Sequence, residues 1–352
     1  SEKKTRLDEV RERFERIDIK PELLDLRRFY NKTPESLLKK LQQYDLNMSI
    51  KKILIGLAVF ILVGAGIYYY LNREEVPTVV VEVEEPEYVS EDNYSPESFE
   101  VIGRSVENRS IRAFKFGTGN KKLVFVGAIH GGYEWNTALL SYELIDYLAD
   151  NIEIIPSDIE VTVIPVANPD GLYKAVGTSG RFFAGDAPQF DYANETTLND
   201  LLARGRFNAN DVDLNRNFDC KWQSDAVWRN YDVSGGAKVF SEPEALALRD
   251  FFLREAPEAV VLFHSASNGV YTSFCEGDAL PGTEDSLTVY SEASGYARYD
   301  NYSYYEVTGD IGDWLSTINT PAITVELSSH RAIDWEKNRT GIEAMFEFYS
   351  DN

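Results

Sequence analysis

The chain has 352 residues, with 35 Lys and Arg against 58 Asp and Glu and a formal net charge of −23. That length exceeds one small module and allows a single large α/β domain with appendages. A balance this acidic excludes nucleic acid and anionic lipid headgroups as principal partners.

The charge is unevenly placed, at net +4 over residues 1–52 and net −27 over the remainder. Residues 1–50 read as a charged helical tail, in which Thr33 offers a cap and Pro34 takes the first helical position. The stretch 53–71 carries no charge and lies between Lys51-Lys52 and Asn72-Arg73. It is about the length needed to cross a bilayer. Residues 51–73 are therefore expected to form a transmembrane or signal-anchor segment. The basic flank would put residues 1–50 inside and the acidic portion outside the cytoplasm, a single-pass membrane location. The alternative is a secretory signal starting at Met48 and cleaved near Gly64-Ala65-Gly66, which would leave a secreted protein. Residues 74–98, rich in Val, Glu and Pro, are expected to be an acidic linker.

From about residue 99 to 352, β-branched apolar runs alternate with helical spacing, the pattern of a layered α/β domain. Strands are expected over 122–129, 159–166, 259–264 and 322–327, and helices over 135–150 and 242–255. The second helix has Ser241 as its expected cap, answered by Glu244 three residues on. Cys220 and Cys275 form an even pair in a domain expected to be exported. A disulfide is thus allowed, with two free buried thiols as the alternative. Sequons at Asn93 and Asn338 are glycosylation acceptors only in a host that glycosylates.

Three of the strands end on residues with metal or acid–base chemistry: V-F-V-G-A-I-His130, V-V-L-F-His264 and A-I-T-V-Glu326. Sites in open α/β sheets cluster outside the carboxyl ends of strands. The chain has only three histidines, and two of them stand at such ends, one just ahead of Glu134. A catalytic zinc takes three ligands from His and Asp/Glu and keeps a fourth position open.

Seven blocks in order resemble the zinc carboxypeptidases of the carboxypeptidase A and B type. They are I-G-R-S-V-E-N-R-S-I, the His130 block, N-P-D-G-L-Y at Asn168, V-D-L-N-R-N-F at Val212, L-F-H-S at Leu262, G-D-W-L at Gly312 and T-V-E-L at Thr324. The resemblance implies a mixed, mostly parallel twisted sheet flanked by helices. It also implies one Zn2+ per chain held by His130, Glu134 and His264, with Asp213 orienting a ligand imidazole. Glu326 matches the family's general base acting on activated water. Asn215 and Arg216 match its readers of the substrate α-carboxylate. Arg206 matches a position that stabilises the oxyanion, and Arg181 is the alternative for that substrate-binding role. Tyr305, nine residues before Trp314, matches a tyrosine that closes on substrate, and Tyr304 is its alternative.

The family's usual first motif has two residues between His and Glu, and here Gly131, Gly132 and Tyr133 make three. The glycines allow the extra residue to be absorbed as a bulge. Otherwise Glu134 misses the metal and His330 is the spare histidine. Asp310, near Gly312, points to basic C-terminal residues if it faces inward. The resemblance implies a metallocarboxypeptidase acting on peptides. The alternatives are a peptidase of the same fold acting on peptidoglycan peptides, and an inactive surface binding module.

Overall fold

A computed structural model describes residues 99–192 and 197–351. Among them ten strands and seven α-helices follow in chain order: β1 Phe99–Arg104, β2 Ser110–Gly117, β3 Lys121–Val126, α1 Trp135–Asp150, β4 Ile159–Ile164, α2 Pro169–Val176, α3 Leu198–Ala203, β5 Asp225–Trp228, β6 Tyr231–Ser234, α4 Pro243–Glu255, β7 Ala259–Ser265, β8 Gly269–Thr272, α5 Pro281–Ser294, β9 Ala297–Tyr299, α6 Ile311–Thr317, β10 Ala322–Leu327 and α7 Trp335–Asp351. Eight strands make one sheet in the order β1-β2-β4-β3-β7-β10-β8-β9, and β5 pairs only with β6.

The inner strands β4, β3, β7 and β10 run parallel to one another, as β8 and β9 do, whereas β1/β2, β2/β4 and β8/β10 are antiparallel. The α/β mixed-sheet expectation is therefore met. Parallel strands covered on both faces read as continuous apolar runs, and all seven residues of β7 are buried. Leu123, Phe125, Val261, Phe263, Ile323 and Val325 pack with α1, α5 and α7, for example against Leu144, Leu287 and Phe346. The alternate residues Val124, Val126, Val260 and Leu262 pack with Leu248, Phe252 and Trp314 of α4 and α6.

The helix expected over 135–150 coincides with α1, and the strand expected over 322–327 coincides with β10. The strand expected over 122–129 stops at Val126. Past it Ala128 turns to φ +51° and its N–H goes to the Thr137 hydroxyl, so the chain leaves the sheet before His130. The expected Ser241 cap does not form. Pro243 fixes the first helical position, Glu242 becomes the residue before it, and the Ser241 hydroxyl donates to Glu242 instead. Glu244 turns away to accept from Val106 N–H and Asn208. Cys220 and Cys275 are bridged, with Cα atoms 5.6 Å apart. Asn338 is fully buried in α7 and donates to the carbonyls of Ile333 and Asp334, which closes that sequon to a glycan.

The expected tail at 1–50, anchor at 51–73 and linker at 74–98 lie outside the described residues. No helix among the described residues is long and apolar enough to cross a membrane. The expectation of a membrane location, and of one helix as a membrane partner, is corrected accordingly.

Candidate active site

Because β3, β7 and β10 lie side by side and parallel, their carboxyl ends open on one place. Val126 pairs with Leu262, and His264 pairs with Glu326. His130 follows β3 by four residues, so the chain must turn back to bring Glu134 to the same point. It does so as a 3-10 turn over Gly131–Glu134 that runs directly into α1. Gly131 adopts φ +47°, and a Cβ there would lie 2.6 Å from the Gly205 carbonyl oxygen, so only glycine is accommodated. The extra residue of the motif is thus absorbed by a helical turn rather than by a strand bulge.

The result is one buried group: donor atoms of His130, Glu134 and His264 all lie within 4.8 Å of one another. His264 Nδ1 is 3.2 Å from Glu134 Oε2, which also accepts the Ser265 N–H. His130 Nδ1 is buried without a hydrogen-bond partner. Burial, reinforced by the Arg206 charge, holds the His130 pKa well below its ordinary value, so the ring is neutral, as a metal ligand must be. Burial alone would lower His264 as well, but the Glu134 carboxylate beside it overturns that and raises it. Two imidazoles and a carboxylate converging around an orphaned ring nitrogen form a donor set suited to zinc. His330 is not part of this set.

Glu326 ends β10 at 8 % exposure, and Oε2 accepts the Ser267 N–H. Burial is the main cause that pushes its pKa up to about 7, with the Glu134 charge adding to it. Arg206 is buried, its Nε and Nη2 bound to Asp213 Oδ2 at 3.0 and 2.9 Å and its Nη2 3.3 Å from His130 Nε2. Asp213 is accordingly committed to Arg206 and to the Asn215 N–H, and its 3.6 Å approach to His130 Nδ1 is too long for the expected orienting hydrogen bond.

Arg216 is fixed by Nε to the Val227 carbonyl and by Nη1 to the Asn215 carbonyl, and it lies 6.0 Å from the Tyr305 ring. The Asn215 side chain is engaged at both ends: it donates to Asp310 Oδ2 at 2.7 Å and accepts the Ile311 N–H. In this state Asn215 anchors the start of α6, and Arg216 lines the cavity beside it. Asp310 does face inward, together with Asp313. Burial, then the Asp310 charge, pushes the Asp313 pKa up to about 8.

One cavity is lined by His130, Glu134, His264, Glu326, Arg206, Asn215, Arg216 and Tyr305. Tyr304 stands outside it, largely exposed beside Tyr302. Arg181 is not brought to the cavity. Its guanidinium makes a two-pronged bond to Asp146 on the exposed face of α1 and lies over the Tyr142 ring. Arg181→Ala should leave kcat/KM within about twofold of the parent and change stability by at most about 1 kcal/mol, measured by steady-state assay and thermal melting. Arg206→Ala should not be tolerated in that way. The sequence reading missed Trp228, Arg229, Tyr302, Asp313 and Thr324 as cavity residues. Only Thr324 had a usable signal, since it lies two residues before Glu326 on the same strand face.

A buried His–Glu–His donor set at the carboxyl ends of parallel strands, with a strand-end glutamate and an arginine in the same cavity, is the layout of a metallohydrolase. Residues 91–351 match the family described as zinc carboxypeptidase, and the chain belongs to that family. Similar curated proteins are the gamma-D-glutamyl-L-diamino acid endopeptidase 1 of Lysinibacillus sphaericus, 27 % identical over 255 residues, and the murein peptide amidase A of Escherichia coli K12, 32 % identical over 137 residues. These alignments cover 65 % and 34 % of this chain, and 60 % and 50 % of the relatives' own lengths. Among solved structures, carboxypeptidase A from Helicoverpa armigera superposes with a TM-score of 0.51 at 19 % identity, covering 72 % of this chain and 66 % of its own, a likeness of fold.

Proposed function

We propose that the chain is a zinc-dependent carboxypeptidase, hydrolysing the amide bond before a C-terminal residue that carries a free α-carboxylate. The observation that carries this reading is the convergence of His130, Glu134 and His264 in the cavity that also holds Glu326 and Arg216. His130, Glu134 and His264 would hold the zinc, which when bound supplies Lewis acidity to the scissile carbonyl and to water. The Glu326 carboxylate accepts a proton from the attacking water and returns it to the leaving amine. Arg216 holds the α-carboxylate, so the leaving residue is chosen by its free terminus. Arg206, buried and ion-paired, offers preorganised N–H groups to the oxyanion. Tyr305 covers the bound residue.

A second reading, that the peptide is a peptidoglycan peptide, is favoured by two observations. The two curated relatives named above act, by their names, on γ-D-glutamyl–diamino acid and murein peptides. Beside Arg216 the cavity also holds Asp310 and Asp313. The second ammonium of a diamino acid is the charge that a pair of inward-facing carboxylates would favour.

Mass spectrometry of zinc-loaded protein with free-acid peptides, their C-terminal amides and a γ-D-glutamyl–diamino acid tripeptide separates these readings. Loss of single C-terminal residues from free acids only, abolished by a chelator, is the expected result. Cleavage confined to the tripeptide selects the second reading, and cleavage of none would reject both in favour of a binding module.

A further inference from the structure

His330 lines the cavity but takes no part in the chemistry above. Its hydrogen bonds nevertheless decide which ring nitrogen carries the proton. Asn136, fully buried on α1, donates both protons of its amide nitrogen, to the carbonyls of Ser329 and Ala332 at 2.8 Å each. Its Oδ1 must therefore be the atom facing Ser265, whose hydroxyl donates to it at 3.0 Å. A hydroxyl has one proton. Having given it to Asn136, Ser265 Oγ can only accept from His330 Nδ1, 3.0 Å away. Nδ1 is thus the protonated nitrogen, and in a neutral ring Nε2 presents a lone pair.

The ring cannot turn to another partner. Tyr192 stacks on it at 4.0 Å and 18°, and Tyr133 meets it edge-on at 4.9 Å. Nε2 takes no hydrogen bond from the described residues and is not among the sealed polar atoms, so it opens to the cavity that the ring lines. The neighbours of His330 are Ser265, Tyr133 and Tyr192, none of them shared with the Asn215–Asp310 pair beside Arg216. His330 and Arg216 line the same cavity as the metal donors through separate sets of contacts, so a peptide with its terminal carboxylate on Arg216 leaves the His330 part of the cavity to residues on the acyl side of the cleaved bond.

We propose that His330 is a substrate-binding residue whose Nε2 accepts a hydrogen bond from a backbone N–H on the acyl side of the cleaved bond, with Asn136 and Ser265 acting as positioning residues for its tautomer. The substrate part rests on the peptide-hydrolase reading, whereas the tautomer does not.

Nitrogen-15 NMR of the full chain labelled at its three histidines reads the tautomer with or without activity. Near pH 7 the ring that belongs to His330, told apart from the two rings of the metal donor set, is expected to be neutral and protonated at Nδ1. Its signal should vanish in His330→Asn and become that of a tautomer mixture in Ser265→Ala. His330→Asn keeps an N–H at the Nδ1 position and removes the far acceptor, so kcat/KM should fall about tenfold. His330→Gln, with an amide oxygen at the Nε2 position, should recover most of that loss, and both variants should keep their zinc. A substrate N-methylated at the acyl-side amide should lose the same factor with the wild type and nothing further with His330→Asn. An Nε2-protonated ring, or an active wild type matched by His330→Asn, overturns the assignment while leaving the peptidase reading intact. A wild type that cleaves no peptide overturns that reading, and the N–H donor with it, whatever the tautomer.

Discussion

His264→Ala is expected to reduce bound zinc from about one per chain to a trace and to take turnover below detection, read by metal analysis after dialysis beside a peptide assay. The effect follows from where the residue sits. His264 is the next-to-last residue of β7, and its backbone is paired with Glu326 of β10, so alanine leaves the strand intact. What is lost is one of three donors within 4.8 Å, and the Glu134 carboxylate is left with only the Ser265 N–H and a distant Arg206 guanidinium at 3.9 Å. A catalytic zinc takes three protein ligands, and among the described residues no other group of donors stands in for the lost imidazole. His330→Ala is the informative control. It should keep its zinc, because His330 belongs to the Ser265 network rather than to the donor set. Stoichiometric zinc in His264→Ala together with loss in His330→Ala would mean that the set is built on the third histidine, and the assignment of Glu134 would go with it.

The parts of this site that could be read in the sequence are those carried by the sheet. Strands buried on both faces must be apolar along their length, so β7 and β10 announced themselves, and His264 and Glu326 with them. The Gly131–Glu134 segment was harder. Two glycines allow a bulge or a tight helical turn equally, and only packing against Gly171 and Gly205 decides for the turn. Arginines were hardest. Arg181 and Arg206 look alike as sequence, but one meets Asp146 on an exposed helix face and the other meets Asp213 in the interior. That difference lies in contacts, not in local pattern. Asn215 illustrates the same limit from the other side, since its amide is taken up by Asp310 and Ile311, 95 and 96 residues along the chain. Trp228 and Arg229 stand at the end of β5, on a two-stranded hairpin with no periodic signal that tied it to the cavity.

Glu326→Gln should lower kcat/KM by about 10³-fold while leaving zinc content and thermal stability near those of the parent. The isosteric amide still accepts the Ser267 N–H through its oxygen, and it removes a buried negative charge that desolvation disfavours. The fold therefore has little reason to object, whereas the amide oxygen is far too weak a base to take a proton from water. The pH profile gives the sharper reading. In the protein without metal, burial raises Glu326 from its ordinary value of 4.5 to about 7. A divalent cation a few ångströms away favours the charged carboxylate and pulls the value back down. Since the ionised form is the active base, kcat/KM should decline as pH falls, with the midpoint of that acidic limb between 4.5 and about 7 in the zinc-loaded protein. Glu326→Gln should have no such limb in its residual rate. If the limb persists unchanged in the variant, the titrating group is elsewhere. If the variant keeps the parent's rate, the base is not Glu326, and the buried carboxylate at the end of β10 serves only to hold the Ser267 loop.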